Sequence, residues 1–148
     1  MLTIRQLRSL SLKQGVALHI IERDYIQTLF LYELYKHANI FLFKGGTCLR
    51  MGYKLNRYSE DLDFNLNEKQ DIGIKLMKDT SSRLTDFGIE SKLKKEHLSQ
   101  SGLNYKLVYT GPLFDGKDRS KGTIKIDISC RKEQVDTTNI LKHFYQGF

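Results

Sequence analysis

The sequence predicts an α+β (mixed α/β) fold in which a central mixed sheet is flanked by helices. Three observations support it. Apolar residues recur at helical spacing in two segments, several short stretches alternate at strand spacing, and the later strands cluster without sustained strand–helix alternation.

The elements follow in order. Residues 1–20 form an N-terminal extension. Asp24 followed by Gln27 resembles a capping box, and Ile26, Leu29, Phe30 and Leu34 then share one face, which predicts an amphipathic helix over 24–38. Residues 40–43 are a continuous apolar run that stops at Lys44-Gly45-Gly46, the pattern of a buried strand ending in a tight turn, with a short helix from Thr47. Residues 61–67 alternate, with Leu62, Phe64 and Leu66 on one side and Asp61, Asp63 and Asn65 on the other. A second helix is expected over 71–87, with Leu76, Met77, Leu84 and Phe87 inward and Gly88 as its C-terminal cap. Strands are expected over 89–95, 103–109 and 123–130, the last two separated by a Gly-, Asp- and Lys-rich segment, 111–122, read as a mobile loop.

Composition narrows the function classes. A chain of 148 residues with 40% hydrophobic content buries one core, so a single domain over 1–148 is expected. Its 24 Lys and Arg exceed its 17 Asp and Glu, giving a net charge of +7 and making a polyanionic partner plausible, although no block of like charges stands out. Cys48 and Cys130 lack ligand spacing and read as reduced thiols. With no signal peptide and no apolar run near the ~20 residues of a membrane span, a soluble cytoplasmic protein without membrane partners is expected.

The chemistry concentrates on carboxylates. Two residues apart on a strand, Asp61 and Asp63 face the same way, about 6.6–6.8 Å apart along the chain. By the same alternation Ile124, Ile126 and Ile128 are core, and Lys125, Asp127 and Ser129 face the other way, so a third carboxylate can join the pair. Like charges so gathered raise one another's pKa unless neutralised, and Mg²⁺ with its preference for oxygen is the natural counter-ion. Three carboxylates suffice for a two-ion site of the kind that supports in-line displacement at phosphorus. Gly45-Gly46-Thr47 offers unhindered backbone, N–H donors at a helix start and a hydroxyl, which suits a triphosphate. An isolated Asp-x-Asp reads better as a solvated edge, and an isolated Gly-Gly-Thr as an ordinary turn. It is their order along the chain that points to a site.

That order resembles the polymerase-beta-like nucleotidyltransferase superfamily through Gly45-Gly46-Thr47, Asp61-Leu62-Asp63-Phe64 and Ile126-Asp127-Ile128. More narrowly, Phe43-Lys44-Gly45-Gly46-Thr47, Arg57-Tyr58-Ser59-Glu60-Asp61-Leu62-Asp63 and Glu22-Arg23-Asp24-Tyr25 resemble the AbiEii/AbiGii toxin group over roughly residues 20–130. The resemblance implies a nucleotidyltransferase fold, Mg²⁺ as cofactor, an NTP as substrate, a tRNA 3′ end as acceptor and a cognate antitoxin as partner. The group normally continues into a helical domain, which is expected to be absent from a chain that stops at Phe148.

Asp61, Asp63 and Asp127 are therefore the candidate catalytic and metal-binding residues. Gly45, Gly46, Thr47, Arg57, Ser59 and Lys125 are the candidate phosphate contacts. For Arg57 and Ser59 a satisfied turn, and for Lys125 a solvated strand lysine, are the competing readings. His19, His37, His97 and His143 show no ligand spacing. Tyr105 and Tyr109 sit at core spacing, whereas Lys92, Lys94, Lys95, Lys117, Arg119 and Lys121 are candidates for a basic rim facing RNA. The alternatives are a small-molecule or protein nucleotidyltransferase, and a catalytically incomplete nucleotide- or antitoxin-binding module.

Overall fold

The core is organised by one long helix. In the computed structural model, which describes residues 1–131, α1 (Ile4–Gln14) precedes α2 (Leu18–His37), and α2 buries Tyr25, Ile26, Leu29, Phe30 and Leu34 against the sheet. His143 lies outside the described residues. The helix begins at Leu18, so the capping box expected at Asp24 and Gln27 is not one. Asp24 is mid-helix and buried, its carbonyl accepts the Thr28 hydroxyl at 2.8 Å, and its carboxylate pairs with Arg50 at 3.3 Å. A capping box does occur at the start of α1, between Thr3 and Gln6. The N-terminal extension is thus a packed helix, with Leu7 fully buried.

After α2 come β1 (Phe41–Lys44), α3 (Gly45–Tyr53), β2 (Asp61–Leu66) and α4 (Gln70–Arg83), the last running into a 3₁₀ turn, Leu84–Phe87. Gly88 closes that turn at φ 77°, the left-handed cap expected from the sequence. Met77 and Leu84 are fully buried, while Leu76 and Phe87 pack at the core margin. The chain then forms β3 (Glu90–Leu98), β4 (Gly102–Thr110) and β5 (Gly122–Ser129).

Among the described residues five strands form one sheet in the order β1-β2-β5-β4-β3. Only β2 and β5 pair in parallel; the other three pairings are antiparallel, so the sheet is mixed, as expected. Inserting β5 beside β2 brings the two acidic strands together. Leu62, Phe64, Leu103, Tyr105, Leu107, Tyr109, Ile124, Ile126 and Ile128 all point to the α2 side, which leaves the opposite face of β5, β4 and β3 polar.

The segment expected to be a mobile loop is instead tied down. Leu113 N–H donates to Glu22 Oε1 at 2.8 Å, and Asp115 Oδ1 accepts from Lys117 N–H and from the Ser120 hydroxyl. No helix among the described residues is long and apolar enough to cross a membrane.

Candidate active site

Strand register assembles the site. Asp63 on β2 is the register partner of Asp127 on β5, and of Lys44 on β1. Adjacent strands lie about 4.7–4.9 Å apart, so Lys44, Asp63 and Asp127 form one row across the sheet on its polar face. Asn104 on β4 extends the row, donating from Nδ2 to Asp127 Oδ1 at 2.5 Å. Asp61 stands one step along β2 on the same face, opposite Lys125.

Within the row the electrostatics bear on Asp63. Desolvation pushes the Asp63 carboxyl above its usual range, and the charges of Asp127 and Asp61 push it further, with only Lys44 opposing them. Hard oxygen donors gathered in this way suit a divalent cation such as Mg²⁺. Among the described residues no three His, Cys, Asp or Glu side chains are grouped closely enough to hold a metal ion by themselves. The three carboxylates are placed by strand register.

The glycine turn meets this row directly. Gly45 opens α3 at φ 80°, and a Cβ built there would lie 2.3 Å from Asp63 Oδ2. Only glycine lets the backbone approach the carboxylate so closely. Gly46 faces the side chain of Ser59, whose Oγ would be 3.3 Å from a Cβ. The exposed N-terminal turn of α3 therefore opens beside Asp63, where its N–H groups can meet an anion.

Thr47 is fully buried, and its hydroxyl donates to the Asp61 carbonyl, so its side chain fixes α3 to the start of β2. Ser59 is half-buried between Gly46 and α2, with its carbonyl accepting from Gln27 Nε2 at 3.2 Å. Arg57 is exposed on the same segment, and Lys125 is exposed beside Asp61.

The acidic run in α2 proves to be a brace for this site. Glu22 takes the Leu113 N–H, Arg23 pairs with Glu60 at 2.9 Å, Asp24 holds Arg50 of α3, and Gln27 holds Ser59. Arg50 also lies 3.8 Å from the Tyr58 ring centroid, which ties α3 to the segment leading into Asp61. The Asp24–Arg50 pair is almost wholly buried, with side-chain exposures of 5% and 12%. Removing one partner of such a pair strands the other charge. Asp24→Ala is accordingly expected to lower unfolding free energy by about 3 kcal/mol, read as a lower urea midpoint with an unchanged slope. A loss below about 1 kcal/mol would place the pair among ordinary surface bridges.

Asn104 and Lys106 are site-face residues outside the sequence motifs, and Lys44 lies within one without a role having been assigned to it. Strict alternation around Leu103 and Tyr105 does put Asn104 on the polar face, but only the pairing of β4 with β5 sets it beside Asp127. Lys95, by contrast, falls in register with Tyr105 and Ile126 on the core side and leaves the basic rim.

The fold has solved counterparts. JHP933 from Helicobacter pylori superposes with a TM-score of 0.61 at 22% identity, covering 83% of this chain and 52% of that one. A second H. pylori protein, provisionally described as a nucleotidyltransferase, gives 0.55 at 28% identity over 76% of this chain and 51% of that one. MenT4, a nucleotidyltransferase toxin from Mycobacterium tuberculosis, gives 0.61 at 19% identity over 88% and 44%. The chain thus spans about half the length of these structures. No curated protein matches it. A family model described as nucleotidyl transferase AbiEii toxin, Type IV TA system, matches residues 29–145, which takes in β1, the glycine turn and all three aspartates. The chain belongs to the AbiEii family of nucleotidyltransferase toxins.

Proposed function

We propose that this chain moves a nucleoside monophosphate from an NTP to an acceptor hydroxyl, as the toxin of a toxin–antitoxin pair acting in the cytoplasm. The observation that carries the reading is the row of Asp63 and Asp127, with Asp61 beside it, abutting a glycine turn that admits no Cβ at Gly45. Mg²⁺, held by Asp61, Asp63 and Asp127, would supply charge neutralisation for the triphosphate and for the attacking oxygen. Gly45 and Gly46 present backbone N–H groups to the phosphates, with Arg57 and Ser59 on the adjoining segment as further contacts. The acceptor oxygen attacks the α-phosphorus and forms the new P–O bond as the α–β bridging bond breaks. Pyrophosphate leaves, and the hydroxyl proton passes to an Asp127 carboxylate oxygen.

The polar sheet face favours RNA as the acceptor, a tRNA 3′ end being the form the family resemblance suggests. Asp61 continues across the sheet into Lys125, Lys106 and Lys94, a row of lysines three strands wide in which Lys106 pairs with Glu96 at 3.1 Å. Lys92 and Lys121 line a cleft of about 350 Å³ at its far edge, next to Lys94. A phosphodiester backbone laid along this row would have its end near the carboxylates. Replacing Lys94 by Ala is expected to weaken RNA binding across all sequences and to flatten the slope of log K against log[salt] by about 0.7, one phosphate contact for a single strand. An unchanged slope would remove Lys94 from the track.

The function itself is tested by incubating the protein with each α-labelled NTP, Mg²⁺ and either total RNA or total protein. Label in RNA with pyrophosphate release is the expected result. Label in protein or in a small molecule would reassign the acceptor, and nucleotide bound without transfer would leave a binding module.

A further inference from the structure

Asp127 is the one member of the carboxylate row whose side chain is held by a neighbour on the β4 side. The row runs Lys44, Asp63, Asp127, Asn104 across four strands, so the two aspartates are bracketed by a cation on one flank and an amide donor on the other. Asn104 Nδ2 donates to Asp127 Oδ1 at 2.5 Å. With Oδ1 engaged towards β4, Oδ2 is the oxygen left for the β2 side, where Asp63 stands.

We infer that Asn104 is a positioning residue: its amide fixes the rotamer of Asp127, turning one carboxylate oxygen to the shared cation and the acceptor hydroxyl. The inference rests on the proposed role of Asp127. The choice of side chain suits that task. A lysine at this position would quench the negative charge that a divalent cation needs, whereas a neutral amide orients the carboxylate and leaves its charge in place. A leucine of similar volume would leave Asp127 free to swing away from Asp63 under like-charge repulsion. The β3-β4 hairpin, which carries no residue of the nucleotidyltransferase motifs, thereby becomes part of the site.

Mn²⁺ binding to the full chain, followed by loss of the free-ion EPR signal, tests this without turnover. Asn104→Leu is expected to weaken Mn²⁺ binding about 10-fold, the usual cost of losing a partner that orients a ligand. Asp127→Ala is expected to weaken it more, and adding Asn104→Leu to Asp127→Ala should change nothing further, because the amide acts only through that carboxylate. Asn104→Ser carries the same test with a smaller polar side chain that burdens the sheet less. Wild-type affinity in Asn104→Leu and Asn104→Ser, with Asp127→Ala impaired, would overturn the positioning role alone. An equal further drop in the Asp127→Ala background would overturn it too, since that marks general loosening of the sheet. Wild-type affinity in Asp127→Ala would instead overturn the three-carboxylate reading on which the inference stands.

Discussion

Asp63→Asn is expected to abolish nucleotide transfer and, at neutral pH without added metal, to make the protein more stable. The loss of activity follows from removing a central oxygen ligand. Charge stabilisation of several kcal/mol disappears, on the order of 10³ or more in rate. The gain in stability follows from the raised Asp63 carboxyl, whose causes are desolvation first and then the charges of Asp127 and Asp61. A carboxyl raised in the folded state favours folding below its unfolded pKa, and that contribution is lost as pH rises through the folded value. At neutral pH the ionised Asp63 therefore works against the fold, and a neutral amide relieves it. Urea denaturation of both proteins should show a difference near zero in acid that opens in favour of Asp63→Asn towards pH 7. Added Mg²⁺ should narrow it by stabilising the wild type. A variant less stable than wild type at neutral pH would mean that Asp63 is held by favourable partners.

Gly45→Ala is the second large effect. A left-handed φ of 80° costs an alanine about 1–2 kcal/mol, and its Cβ would stand 2.3 Å from Asp63 Oδ2, so carboxylate or turn must move. Displacing a reacting group by about 1 Å costs on the order of 10² in rate, and that loss is expected here together with a lower melting temperature. Gly46→Ala is the internal contrast. Its Cβ would meet only the Ser59 side chain, no closer than 3.3 Å, and Gly46 does not have a positive φ. It should fold nearly as well as wild type. Equal behaviour of the two variants would mean that the turn is generic.

Much of this site was legible in the sequence because strand alternation is a local property. Asp61 and Asp63 share a face by chain geometry alone, and Ile124, Ile126 and Ile128 force Asp127 to the other side of their own strand from the core. Pairing is not local. That β5 inserts between β2 and β4, setting Asp63 against Asp127 and Asp127 against Asn104, depends on contacts made across the whole chain. The start of α2 was misplaced for a related reason. Asp24 and Gln27 look like capping residues until α3 and the segment before β2 pack on them and use their polar groups as anchors. The anchoring of the Thr47 hydroxyl on the Asp61 carbonyl is likewise set by packing between α3 and β2, which the glycine turn alone does not reveal.

One measurement tests the central claim most directly: the fate of label from NTP carried at the α or at the γ position, in the presence of Mg²⁺ and RNA. Nucleotidyl transfer at the Asp61, Asp63 and Asp127 site predicts α-label joined to RNA by wild type, γ-label recovered as pyrophosphate, and neither with Asp63→Asn. Label passing to RNA from the γ position, or α-label transferred equally well by Asp63→Asn, would contradict it.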